Sequence, residues 1–485
     1  MTRHHHHHHR KKKIIFIHLD LGIGGAEQLV LNLAAASQDA GHEVTIVTSR
    51  CSQSHCFSQV KKPDGRLCTH VRVWGKFLPT NVLGVGTALC SSIRMLYLSY
   101  WTAKRFGRTA DCIVLDVLPT AIPFLTTWVK SGILYYCHFP DKLLTRDTVN
   151  GEATDEALQQ RSSLRTWYRN WMDGVEENTM SYADVLCVNS KFTLTQVQKV
   201  FSSLTNKDMR VLCPALDMEK FDQPHFTTPS KDAPIVSLNR FERKKNIELL
   251  LRAYALLQKE IKKNVPPLII AGGYDIRNVE NVEYLQELKK LAAELSIQTV
   301  KFRPSVSDEE RAKLMQTALC IVYTPHLEHF GIVPLESMYA GRPVIAVKSG
   351  GPMETVVDGK TGFLCDKTPK AFCEALTKLV KNPALSTTLG KAGHEHVKLK
   401  FGLERFQKHW VRLVDDTIEA GKVRRMNQRG GYMVWRSFYY IADALLTFGG
   451  ALVLTFILRW TGVLEPDQHI LGKLRSLRED WDDGL

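Results

Sequence analysis

Apolar residues along this chain collect into short continuous runs, and between the runs they recur every three to four positions. Short runs read as buried strands and the longer period as amphipathic helices. Ile14 to His18 is a first run. It is followed by a glycine-rich turn, a helical stretch with Leu29, Val30, Leu33 and Ala34 on one face, and a second strand from Glu43 to Thr48. This is a βαβ opening. Strand runs recur at Cys112 to Leu115, Ile133 to Cys137, Val185 to Asn189 and Arg210 to Leu212, with helix-competent stretches between them. The first part of the chain, residues 13–221, is therefore expected to be a parallel α/β domain.

The segment from Asp222 to Ser230 is polar, carries two prolines and precedes a fresh start of the same rhythm, so a linker is placed at 222–230. Runs at Ile235 to Leu238, Leu268 to Ala271, Val300 to Arg303, Cys320 to Thr324 and Val344 to Val347 then alternate with helical patterns up to Gly421. Residues 231–421 are expected to form a second domain. The fold class is α/β: two Rossmann-like, doubly wound domains that face a cleft at the carboxyl ends of their strands.

Beyond Gly421 the pattern changes in kind, and residues 422–485 form a tail. Phe438 to Leu458 is long enough to span a bilayer core, has Trp435, Tyr439, Tyr440 and Trp460 near its ends, and contains one charge, Asp443. A spanning or re-entrant helix at about 438–458 is expected; a surface or packed core helix is the alternative. Basic residues flank both ends, so charge counting does not set orientation. A second apolar region, Phe77 to Trp101, contains Arg94 and small residues and reads as an amphipathic element of the first domain, with contact to the membrane left open.

Composition adjusts this picture in three places. The chain has 485 residues, enough for two cores and a tail. The formal charge of +14 is swollen by Arg3 and Arg10 to Lys13, which flank His4 to His9, so residues 1–12 are set aside as a His-rich leader or tag. No zinc-finger spacing, aromatic RNA-binding signature or long basic helix accompanies the charge, and nucleic acid is not an expected partner. The eleven cysteines are odd in number and scattered, as expected of buried free thiols in a reducing compartment. Cys51, His55, Cys56 and Cys68 match no common zinc spacing, and no metal site is assigned.

Candidate chemistry lies at strand ends. Glu328 and Glu336 stand eight residues apart across Gly331-Ile332-Val333-Pro334, after an apolar strand and at the opening of a helix. Backbone amides there can meet a diphosphate, and the carboxylates can accept bonds from sugar and ribose hydroxyls; two solvated acids on a plain strand-turn-helix are the bland alternative. Arg240 and Lys245 follow the first strand of the second domain and can clamp a diphosphate, unless the loop is merely a solvated basic one. Gly24 and Gly25 lie in the first turn, where a Cβ would block a phosphate or sugar, although the spacing is not G-x-G-x-x-G. His138 closes the strand Ile133 to Cys137, at a ligand-facing end or as a structural histidine. Lys245 and Glu336 are expected to be exposed cleft residues with little packing role. Neither globular domain carries D-x-D, so no divalent ion is suggested.

Glu328-x7-Glu336, the Arg240 and Lys245 pair and the Gly24-Gly25 loop resemble the retaining GT-B glycosyltransferases of family 4. Within that family, the runs His18 to Glu27, Tyr136 to Asp141, Asn239 to Asn246, Ala271 to Asp275 and His329 to Glu336 resemble the alpha-1,3/1,6-mannosyltransferases of asparagine-linked glycosylation. The likeness runs from Lys13 to about Gly421. It implies a GT-B fold and transfer of mannose from GDP-mannose, first alpha-1,3 and then alpha-1,6, to a dolichol diphosphate carrying one mannose on two N-acetylglucosamines. It also implies an endoplasmic reticulum membrane location with catalytic domains toward the cytosol, and a complex with other dolichol-pathway mannosyltransferases.

For the site, the resemblance implies that Glu328 binds donor-sugar hydroxyls and Glu336 the ribose. Arg240 and Lys245 would hold the diphosphate with the amides of Gly331, Ile332 and Val333, and His138 would sit by the sugar. The chemistry implied is front-face substitution without a glutamate nucleophile, cofactor or required metal. The rival readings are a related alpha-1,2-mannosyltransferase of the same pathway, a GT-B nucleotide-sugar epimerase, and a membrane-bound scaffold.

Overall fold

The computed structural model describes residues 10–81, 86–144, 148–149, 152–153, 163–218, 221, 226–262 and 264–428. The expected membrane segment 438–458, most of the His-rich leader and residues 222–225 of the expected linker lie outside the described residues. Among the described residues, no helix is long and apolar enough to cross a membrane.

The first sheet has seven parallel strands: β1 (Lys13–Ile17), β2 (Glu43–Thr48), β3 (Val71–Val73), β4 (Cys112–Asp116), β5 (Gly132–Cys137), β6 (Val185–Val188) and β7 (Met209–Val211), in the order β3-β2-β1-β4-β5-β6-β7. The second has six: β8 (Ile235–Leu238), β9 (Leu268–Gly272), β10 (Val300–Pro304), β11 (Cys320–Tyr323), β12 (Val344–Val347) and β13 (Gly362–Cys365), in the order β10-β9-β8-β11-β12-β13. Both sheets are doubly wound. Order reverses between β1 and β4 in one and between β8 and β11 in the other. At such a point successive connections leave to opposite faces and open a crevice at the carboxyl ends.

Central strands are apolar throughout because both faces are covered. Ile14 and Phe16 pack into one layer of the first domain and Ile15 and Ile17 into the other. Ile235 and Val236 divide in the same way in the second domain. Two strands of these sheets are absent from the sequence-based expectation: β3 is an exposed edge of three residues without an apolar run, and β13 is a half-buried edge whose apolar run is only Phe363 to Cys365.

The segment Phe77 to Trp101 contributes most of α1 (Thr87–Phe106), which buries Cys90, Arg94, Met95 and Leu98 against the sheet. Its other side exposes Ile93, Tyr100 and Trp101, an amphipathic division as expected.

After the second domain, helix α2 (Leu403–Gln428) crosses back onto the first sheet. Trp410 is fully buried, lies 6.0 Å from Phe16 and donates its indole N–H to Ser37 Oγ at 2.8 Å. Gly132 permits the approach, since a Cβ there would meet Thr417 O at 2.2 Å. Arg424 locks the far end by donating to Asp184 Oδ1 and Ser131 O, each at 2.8 Å. Removing the Trp410 ring would cost about 3–5 kcal/mol.

Candidate functional site

The two domains meet through bonds made at strand ends. Ser190 Oγ donates to His329 O at 2.7 Å, and Glu354 accepts from the amides of Lys191 at 3.0 Å and Phe192 at 2.8 Å, at the start of the helix Lys191–Val200. Phe139 stacks on His329 with ring centroids 3.6 Å apart. The end of β5 and the loop after β11 are thereby held together, with His138 beside that stack.

On the second-domain side, the connections after the switch-point strands β8 and β11 supply a charge pair. Lys245 Nζ donates to Glu328 Oε2 at 2.6 Å, and Thr324 Oγ1 pins the Lys245 carbonyl at 2.7 Å. Burial alone would raise the Glu328 carboxyl. The Lys245 ammonium overrides it, with the Tyr323 hydroxyl assisting, and holds Glu328 below the ordinary carboxylate range. His329 is pushed down to about 4 by burial, against the pull of Glu328 and with the push of Lys245, so its ring is neutral in the stack.

Gly331 caps the helix Ile332–Tyr339 at φ 79°, a left-handed conformation that favours glycine. Pro334 lacks an N–H, which leaves the amides of Gly331, Ile332 and Val333 as the donors at this positive helix end. Behind the turn, Gly350 at φ 63° lets its loop press on Glu328, where a Cβ would lie 2.4 Å from the Glu328 carbonyl oxygen. Gly351 N–H donates to that same oxygen at 2.7 Å.

Glu336 accepts a forked ion pair from Arg311, one arm at 3.1 Å through Nη1 and a second through Nη2. Lys245 and Glu336 are 9% and 8% exposed, which corrects the expectation that both are exposed residues with little packing role. Each is buried because a partner of opposite charge lies against it. Arg240 is the exposed cation of the group, 3.1 Å from Glu242 Oε1.

On the first-domain side, a Cβ at Gly25 would meet nothing within 4 Å, whereas one at Gly24 would strike the Glu27 carboxylate. His138 Nε2 lies 3.0 Å from Asp116 Oδ2, and His18 Nδ1 reaches the two Asp116 oxygens at 2.8 and 2.9 Å. Burial would lower the His18 imidazole, but Asp116 and Glu27 outweigh it and raise it to about 10. Asp116 is correspondingly held down to about 2 against its own burial, by His18 and His138. Arg311, His18 and Asp116 were not legible as site residues in the sequence, since nothing local distinguishes them. The Lys348-Ser-Gly-Gly351 run was the one available sign of the loop behind Glu328.

The arrangement can hold a polyanion between a lysine, an arginine and open helix amides, with carboxylates placed to accept from hydroxyls. Known proteins resemble the chain in sequence and in fold. The sequence model of "Glycosyltransferase Family 4" matches residues 23–220, and that of "Glycosyl transferases group 1" matches residues 218–396. Alpha-1,3/1,6-mannosyltransferase ALG2 of Homo sapiens is 39% identical over 414 residues, covering 83% of this chain and 95% of the relative. ALG2 of Saccharomyces cerevisiae is 37% identical, covering 84% and 85%. In fold, the chain is similar to sucrose-phosphate synthase from Thermosynechococcus elongatus, with a TM-score of 0.64 at 20% identity over 84% of this chain and all of that one.

Proposed function

The chain belongs to the alpha-1,3/1,6-mannosyltransferase family of N-glycan precursor assembly, and on that premise we propose that its cleft carries mannose from GDP-mannose to a dolichol diphosphate bearing one mannose on two N-acetylglucosamines. The Lys245–Glu328 pair at 2.6 Å carries the reading. In a nucleoside diphosphate sugar the anomeric carbon is bonded directly to the β-phosphate, so a sugar handle and a phosphate handle must stand side by side. Lys245 faces the phosphate, Glu328 accepts from sugar hydroxyls, and Glu336, steadied by Arg311, accepts from the ribose.

As the glycosidic bond breaks, negative charge gathers on the departing diphosphate. Lys245, Arg240 and the amides of Gly331, Ile332 and Val333 stabilise that charge without a metal. Front-face departure leaves the phosphate oxygen beside the incoming acceptor hydroxyl, where it takes the proton. Glu328 is hydrogen-bonded and ion-paired, an arrangement suited to holding a sugar and unsuited to a nucleophile. His138 and the Gly24-Gly25 turn complete the sugar side from the first domain. The 438–458 segment would hold the enzyme at the endoplasmic reticulum membrane, near its lipid acceptor.

A donor panel tests this reading. The purified chain is offered GDP-mannose, GDP-fucose, UDP-glucose and UDP-N-acetylglucosamine together with the lipid acceptor, and transfer is followed by mass. Hexose addition from GDP-mannose alone is expected. Transfer from a UDP sugar, or turnover of donor without acceptor as an epimerase would show, overturns it.

A further inference from the structure

Three neighbouring strands of the first sheet end side by side, and each contributes one member of a polar chain. His18 follows β1, Asp116 closes β4 and His138 follows β5. Parallel pairing sets the level: Ile17 is opposite Leu115, which puts His18 level with Asp116, and Asp116 is opposite Tyr136, two residues before His138. His18 and Asp116 are each 2% exposed, and His138 is the more open member, its side chain 25% exposed.

Both His18 nitrogens face acceptors, Nδ1 the Asp116 carboxylate and Nε2 the Asp20 carbonyl at 3.0 Å, with Glu27 Oε1 3.9 Å away. The ring therefore carries both protons and supplies the charge that balances Asp116. The second lone pair of Asp116 Oδ2 is left for His138, whose Nε2 lies 3.0 Å away. With Nε2–H donating to the carboxylate, Nδ1 is the ring nitrogen left to accept. Holding strand ends together does not require this, because apolar residues of similar volume do so at less cost than a buried ion pair.

We propose that Asp116, backed by His18, is a positioning unit that fixes the ring orientation and tautomer of His138, so that Nδ1 accepts a hydrogen bond from a hydroxyl of the sugar being transferred. The proposal rests on the donor-site reading of His138. It separates two tasks: His138 touches substrate, while Asp116 and His18 act only through it. Loss of Asp116 should then harm the chemical step more than donor binding, because the ring remains but its acceptor edge is misplaced.

The test is a double-variant cycle on the full chain with saturating lipid acceptor, using Asp116→Asn, His138→Ala and both together, alongside the imidazole nitrogen spectrum of 15N-histidine-labelled protein. Asp116→Asn is expected to lower kcat about 100-fold with little change in KM for GDP-mannose. It should add no further loss on top of His138→Ala, and it should convert the His138 resonance from the Nε2–H tautomer to a mixture. An unchanged kcat in Asp116→Asn where His138→Ala is impaired, or losses that multiply in the double variant, overturns the positioning unit alone. Full kcat in His138→Ala overturns it together with the substrate role of His138. Should Asp116→Asn fail to fold, His18→Gln carries the same cycle: a kcat loss that vanishes in the His138→Ala background supports the unit, and an equal loss in both backgrounds overturns it.

Discussion

Lys245 Nζ and Glu328 Oε2 are 2.6 Å apart although 83 residues separate them in sequence. Their side chains are 11% and 21% exposed, so each charge depends on the other for solvation lost on folding. Lys245→Ala should therefore abolish transfer and also destabilise the fold, by about 3 kcal/mol, because it strands a buried carboxylate. Thermal unfolding of Lys245→Ala, Glu328→Ala and the double variant checks this. The double variant is expected to unfold at a higher temperature than the sum of the single losses would give.

The Arg311–Glu336 fork makes a separate prediction. Arg311→Ala leaves the Glu336 carboxylate in place but free to turn, so KM for GDP-mannose should rise about tenfold while kcat changes little. Steady-state kinetics distinguishes this from a catalytic role, which would lower kcat.

Stability should depend on pH with a sign set by Glu176. Its carboxyl caps the amides of Asp141 at 2.8 Å and Lys142 at 3.3 Å, and burial outweighs those amides to push it up to about 7. The folded protein thus holds a proton that the unfolded chain releases near 4.5. This contribution is complete below pH 4.5 and is lost as pH rises through 7, a fall of about 3 kcal/mol. Glu176→Gln should flatten the decline in unfolding free energy between those limits, as measured by denaturant titration.

His18 and Asp116 bend the profile at other points. His18, raised from 6.5 to about 10, contributes stability that is full below 6.5 and lost as pH rises through 10. Asp116, lowered from 3.8 to about 2, contributes stability that is present above 3.8 and lost as pH falls through 2. In His18→Gln the alkaline decline between 6.5 and 10 should diminish, and the same titration at high pH measures it.

Transfer should survive chelation. The leaving diphosphate is met by Lys245, Arg240 and helix amides, and neither globular domain has the D-x-D that would seat a bridging ion. Full activity in EDTA is expected, and activity that returns only on adding Mn2+ would count against this assignment.

The strands were legible because doubly covered strands need unbroken apolar runs, as in Ile133 to Cys137. Edge strands such as Val71–Val73 were not, since an exposed edge needs no such run. Lys245, Glu328 and Glu336 could be read from local spacing around a turn. Their burial could not, because Arg311 lies on another helix and Lys245 meets Glu328 only through the adjacency of β8 and β11. His18 and Asp116 stand 98 residues apart and are joined by strand order alone. The return of α2 onto the first sheet was hidden for the same reason: Trp410 looks like any helix residue until it meets Ser37.

The most direct measurement is the linkage of the products. Purified protein is given GDP-mannose and a polyprenyl diphosphate carrying one mannose on two N-acetylglucosamines, and the products are resolved by mass and by linkage-specific mannosidases. Two successive additions are expected, one alpha-1,3 and one alpha-1,6, both lost in Lys245→Ala. Addition only to a longer acceptor through an alpha-1,2 bond would contradict the assignment, as would transfer that persists in Lys245→Ala.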